Sequence, residues 1–565
     1  MPKHEIPIID ALDDSAGTTR RQLLCRAGGL AALLALPGGL LSACGSSSGG
    51  GQTADLVNLR WGVPGGVETI SPNIFTAVGV TIAHMGLEGL LQLNARGEVE
   101  PWLAERYVNQ GNREFVFTIR EGVRWSDGTP LTTEDVLFHF QYNLRETAQP
   151  IYGYYPAFGV TEVEQTGPRE ITVRAIRPNT RIPATVLASQ ASWLVKPEFL
   201  REFGYDKMGT PAALPIGTGP YVFEEFVPES SVTLRRNEHY WAWDRLELVP
   251  ETIEVTIFKE ASTRVLAART GEISGSHVIG PDELPQYRAL SGFSTYSVLD
   301  LTTWFFSLNH TVAPFDDVHA RRAMAYAVDR GGIAKAVWNG NAEPASALAP
   351  PQVWNGLLSE AEVEELYASI PAYDFDLDRA EAELKQSRTP GGFTLNLLTS
   401  ESQPAMARVA QIYARDLAKI GIKLNVKPVS ENQYFEPLFN ADFDDPDYII
   451  SIGVTSMDAL DPIPALDDYY SSRNVREGLT NFSHYVDERI DALLARQAET
   501  TDPRVRGEAM AEIVRIASEA SPYVSIVWPE ICAATAPGIE YTDFNPFIFL
   551  NGTPWPVGLH RSSDA

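Results

Sequence analysis

The chain has 565 residues, 44% of them hydrophobic, and a formal net charge of −28 at pH 7. That length is too great for one hydrophobic core and predicts two or three lobes. The acidic balance argues against nucleic acid or an anionic membrane surface as the main partner.

At the N-terminus, Arg20 and Arg21 in Thr19-Arg20-Arg21-Gln22-Leu23-Leu24 resemble a twin-arginine export signal. The apolar run from Leu30 to Leu41 is broken by Pro37, Gly38 and Gly39, so it is too short and too interrupted to span a bilayer. It closes on Leu41-Ser42-Ala43-Cys44, which resembles a bacterial lipobox, with Cys44 acylated and becoming the mature N-terminus. The alternative is an ordinary cleavable signal in which Cys44 is incidental. A flexible Gly/Ser tract follows as a leash, giving a leader over 1–43 and a linker over 44–55. Beyond it only Cys532 remains, so the body forms no internal disulfide.

The body reads as mixed α/β. Alternation of Phe115, Phe117 and Ile119, of Ile171, Val173 and Ala175, and of Ile253, Val255 and Ile257 predicts half-buried strands. A capping-box-like Thr132 and Asp135 open a helix over 132–145, and Asp317 opens another over 317–329. Farther on, Phe393, Leu395 and Leu397 alternate, Met406 to Ile420 follow helical spacing, and Ile422, Leu424 and Val426 alternate again. This is a βαβ unit with parallel strands, and the lobe holding it is expected to be an open α/β sheet with ligands off its strand ends.

Three motif regions, in order, carry a resemblance. They are GLEGL (86–90) with EPWLAERY (100–107) and FTIREGVRWSDGTPLTTEDVLF (117–138); PIGTGPYVFEEF (215–226) with LRRNEHYW (234–241); and FSLNHTVAPFDDVHARRAMAYAVDR (306–330). Together they resemble the extracellular solute-binding proteins of family 5, the dipeptide-, oligopeptide- and nickel-binding proteins of ABC importers. Each also reads as scaffold: Asp127-Gly128 as a tight turn, Gly217 and Gly219 as a sharp bend before a strand, Asp317 as a helix cap.

The resemblance implies an α/β, two-lobe periplasmic-binding-protein-like fold of the large class, with an extra subdomain in lobe I. Lobe I would span 56–300 with an insertion near 91–205, lobe II 301–524, and 525–565 would return to lobe I. The two crossings, near Asp300 to Phe305 and near Tyr523 to Trp528, would form the hinge. It also implies a monomer, extracytoplasmic and lipid-anchored, that delivers a peptide or other small solute to ABC permease subunits. No cofactor or catalytic residue is implied.

For the ligand, the resemblance points to the strand-to-loop turn at 62–73, with Gly66, Val67 and Glu68 as candidates. It also points to a loop aspartate after the strand Tyr448 to Ile452, which motif counting assigns to Asp458 as partner of a ligand α-amino group. That loop departs from the common pattern in having Ala459 and Val454 where tyrosine and tryptophan are usual, so a merely solvated Asp458 stays open. Trp304 and Trp528, at the crossings, are candidates to wall the cleft or simply to pack the hinge. An oligosaccharide, opine-like solute or metal chelate stays open as ligand. A secreted hydrolase is the rival from another class, but the G-x-S-x-G match found, Gly45 to Gly49, lies in the leash. Histidines such as His84 and His484 are scattered and read as core or surface residues rather than metal ligands.

Overall fold

Strand-forming runs of β-branched and aromatic residues, distant in sequence, gather into one large sheet. The computed structural model describes residues 55–562 apart from 72–76, 146–153, 247–249, 402, 431–432, 435–448, 457–459, 476–479 and 550–551. The strand Asn58–Pro64 lies between Thr252–Phe258 and Gly275–His277, parallel to both. Its alternate Leu59, Trp61 and Val63 are fully buried, as the period-two pattern requires. The hairpin of Tyr221–Val227 and Ser231–Arg236 extends the sheet on one side.

On the other side the 13-residue strand Tyr523–Thr535 joins two sets of partners. Its second half pairs antiparallel with Gly275–His277 and Ser294–Leu299, and its first half with Thr302–Leu308. Ile450–Ser456 then closes the sheet against Thr302–Leu308. The chain therefore passes twice between the two halves, along neighbouring strands, with Asp300 N–H donating to Pro529 O at 2.9 Å.

A separate four-stranded antiparallel sheet carries Glu114–Ile119 and Glu170–Ala175 at its centre, burying Phe115, Phe117, Ile171 and Val173. The helix Thr133–Asn143 packs beside it, capped by Thr132 and Asp135 as the sequence predicts. Asp317 likewise caps Val318–Tyr326, accepting from His319 N–H at 2.9 Å. The predicted helix over 317–329 stops at Tyr326, however, and Asp329 caps a second helix, Arg330–Trp338. Thr394–Ser400, Pro404–Lys419 and Lys423–Val429 form the βαβ unit, and its strands are parallel. Among the described residues these two strands pair only with each other, rather than joining the larger open sheet expected around them.

The first two motif regions meet at Glu88. Its buried carboxylate accepts from Trp102 Nε1 at 2.6 Å, Thr218 Oγ1 at 2.8 Å, Tyr240 OH at 2.9 Å and Trp241 Nε1 at 3.4 Å. Burial lifts this carboxyl to about 7, against the four donors that favour its charged form. The backbone bends over 218–220, just before Tyr221–Val227, as expected, and Gly217 and Gly219 also serve close approach. Neither has a positive φ, and a Cβ on Gly217 would sit 2.1 Å from the carbonyl oxygen of Gly86. His84 is a core residue, stacked at 4.7 Å on Trp193.

Candidate ligand cleft

The registers bring two strand ends toward one place. Asn58–Pro64 runs parallel to Gly275–His277, whose His277 pairs with Ala533, so its carboxyl end advances toward the middle of Tyr523–Thr535. From the opposite half, Ile450–Ser456 runs antiparallel to Thr302–Leu308 and ends with Ser456 opposite Thr302. Both strands deliver their carboxyl ends to the crossing at Asp300 and Pro529, where open α/β sheets hold their ligands.

At the first end, Gly66 is exposed with φ +98°, a conformation that only glycine adopts without strain. Glu229, at the tip of the neighbouring hairpin, pins this turn twice. Its carboxylate accepts from Gly66 N–H at 3.0 Å, and its own N–H donates to Val67 O at 3.0 Å. Glu229 itself holds φ +56°. The Val67 side chain is fully buried in the core, which leaves the main chain as the part of this residue able to meet a solute. Glu68 is exposed.

Trp304 is half-buried on Thr302–Leu308, edge-to-face with Trp338 at 5.0 Å between ring centroids. Trp528 is 5% exposed, with Nε1 donating to Ala347 O at 3.3 Å and its ring edge-to-face with Tyr367. That indole is committed to packing at the crossing. Asp458 lies outside the described residues, as does Cys44. The described chain resumes at Leu460, and Asp461 accepts from Arg506 Nη2 at 2.5 Å.

The sequence marks Asp300 as the start of a crossing but gives its carboxylate no role. Its carboxylate accepts from Leu301 N–H at 2.8 Å and Thr302 Oγ1 at 2.9 Å, and burial raises its pKa. Its position between two strands was the available signal. Glu229 left none, because its partner Gly66 is 163 residues away.

Residues 98–477 match the family described as bacterial extracellular solute-binding proteins, family 5. The chain belongs to this family. Its relatives include the probable di/tripeptide-binding protein 5 of Pseudomonas aeruginosa, 26% identical over 510 residues, covering 86% of this chain and 92% of the relative. Among solved family 5 folds, the periplasmic binding protein DppA of Helicobacter pylori in complex with the peptide STSA superposes with a TM-score of 0.73 at 19% identity, covering 89% of this chain and 98% of the other. AgaA of A. tumefaciens in complex with agropinic acid superposes with a TM-score of 0.72 at 21% identity, covering 89% and 99%. The fold is thus the two-lobe, mixed α/β architecture of family 5 binding proteins, which serve transport by binding solutes outside the cytoplasm. No helix among the described residues is long and apolar enough to cross a membrane.

Proposed function

We propose that this chain is the peptide-capturing lipoprotein of an ABC importer. Residues 56–300 with 525–565 form lobe I, residues 301–524 form lobe II, and the solute is held where the two strand ends meet. Family membership over residues 98–477 carries the reading, and the di/tripeptide-binding relative directs it to peptides. The leader resembles a twin-arginine signal, and acylation of Cys44 would hold the monomeric body near its permease. The body needs no cofactor for this role, and we assign it no catalytic activity.

Within the cleft, the main chain at Gly66 and Val67 meets the peptide backbone, Glu68 lines the entrance, Trp304 supplies an apolar wall with Trp528 packed behind it, and Asp458 pairs with the α-amino group. Closing the cleft takes that ammonium out of water, and a paired carboxylate offsets the desolvation. A non-peptide solute is the second reading, favoured by the similar fold of the agropinic acid complex.

The test has two stages. Thermal shift against peptides, opines, sugars and metal chelates selects a solute, since a ligand of the folded state raises the melting temperature. Calorimetry then compares wild type with Asp458→Asn, which is expected to lose about 3–5 kcal/mol, roughly 100-fold or more in affinity, for a peptide. A neutral solute bound equally by both proteins would overturn the peptide assignment and leave solute binding standing.

A further inference from the structure

A polar seam joins the inserted subdomain to the helical part of the C-terminal half, and none of the residues assigned to the ligand takes part in it. Arg181, with only 8% of its side chain exposed, grips Asp468 with both arms of its guanidinium: Nη1 to Oδ1 at 2.5 Å and Nη2 to Oδ2 at 3.2 Å. Its plane lies over the Phe158 ring, 4.7 Å from the centroid. Beside it Thr180 Oγ1 donates to Gln497 Oε1 at 3.0 Å. Asn112 Nδ2 donates to Thr500 O at 2.9 Å and to Ala498 O at 3.3 Å.

All these bonds join residues at least 287 positions apart, and all cross from the insertion to the other half. They border a cavity of about 380 Å³ that is lined by charge of both signs, including Arg177, Arg473, Asp491 and Glu499. On opening, water can take the place of each polar partner, whereas the apolar side chains that the two sides contribute to one core, among them Ile182, Val186, Ile463 and Leu466, have no such substitute and set the cost of opening. The pair is also selective. Asp467 lies 3.9 Å from Arg181 and is itself held by Arg473 at 2.8 Å, so Asp468 is the carboxylate that Arg181 commands.

We propose that Arg181 and Asp468 form a closure latch, a charge pair remote from the solute that strengthens capture by favouring the closed arrangement of the two lobes. The proposal rests on the two-lobe capture reading. Both are positioning residues: they act on affinity through the equilibrium between open and closed forms, which the pair biases only because it exists in one of them. Thr180 and Asn112 add neutral hydrogen bonds to the same seam and supply smaller increments.

The test uses the solute-free full chain, so it does not depend on which solute is carried. Arg181→Met keeps the apolar stem over Phe158 and removes the charge, leaving Asp468, 30% exposed, able to hydrate. Thr180→Val removes a single hydroxyl and keeps the shape. Hydrogen exchange is read on both faces of the seam, over 177–188 and over 463–475 with 495–500, together with the radius of gyration. Arg181→Met is expected to speed exchange on both faces roughly tenfold or more and to enlarge the molecule, with Thr180→Val moving both readouts the same way by less. Unchanged size in both variants, or faster exchange confined to the Arg181 face, would overturn the latch. If instead no solute compacts the wild type, the capture reading fails while the exchange result still decides whether the seam opens.

Discussion

A carboxylate enclosed by two indoles, a phenol and a threonine hydroxyl is held between opposing effects, and Glu88 shows the balance. Burial raises its pKa from 4.5 to about 7, so its contribution to stability is complete below the unfolded value and is lost as pH rises through the folded one. At pH 8 that loss is about 3 kcal/mol. Glu88→Gln should therefore flatten the alkaline side of the stability profile, measured by denaturant unfolding at pH 5 and pH 8. Glu88→Leu, which strands the buried donors of Trp102, Thr218 and Tyr240, should cost about 3–5 kcal/mol at either pH. The acid side has a different origin. Burial lowers His84, His139 and His277 to about 3, so the stability these neutral imidazoles preserve is complete above 6.5 and is lost as pH falls toward 3. A single such imidazole costs about 3 kcal/mol at pH 4, and Glu88→Gln should leave that limb unchanged.

At the scale of elements, the turn after Asn58–Pro64 takes its shape from another hairpin. Glu229→Asn suits the positive φ of that position but is too short to keep the bond to Gly66. It should change global stability by no more than about 1 kcal/mol, speed amide exchange at Gly66, and weaken solute binding about tenfold. Exchange and binding both at wild-type values would show that the turn is rigid without Glu229. Elements whose signal is local were legible in the sequence: Thr132 and Asp135 fixed one helix start, and Met406 to Leu417 marked the buried face of another. Elements defined by pairing were not. Ile450–Ser456 lies about two to four residues beyond the strand read from Tyr448 to Ile452, because an apolar run carries no mark of where its ladder begins. The convergence at Glu88 had a readable clue. The motifs contain Trp102, Tyr240 and Trp241, whose N–H and O–H groups need an acceptor when buried, and Glu88 is the acid within GLEGL. The seam at Arg181 had none, since an arginine and an aspartate 287 residues apart are two among many.

For the whole molecule, capture between lobes predicts that small-angle scattering shows compaction when the solute identified by thermal shift is added. An unchanged radius of gyration would contradict closure around the solute. The anchor is tested separately. Cys44→Ala should leave the body folded and release it from membranes, read by fractionation, because the acidic body has no affinity of its own for an anionic surface. The form of closure follows from the long strand Tyr523–Thr535. It is hydrogen-bonded on both sides of its midpoint, and Ser294–Leu299 and Thr302–Leu308 lie alongside it. With Ala342–Pro344 paired to Val527, Trp528 and Pro529, the hydrogen-bonded strands here make a narrow ribbon that bends more readily across its flat face than it slides within its plane, much like a leaf spring. Pro529, which has no N–H to give to a ladder, sits where that ribbon has to flex. Under the proposed capture, each opening would retrace the same arc and the halves would return in register, so that Arg181 would meet Asp468 again without a search and every cycle of loading would offer the same face.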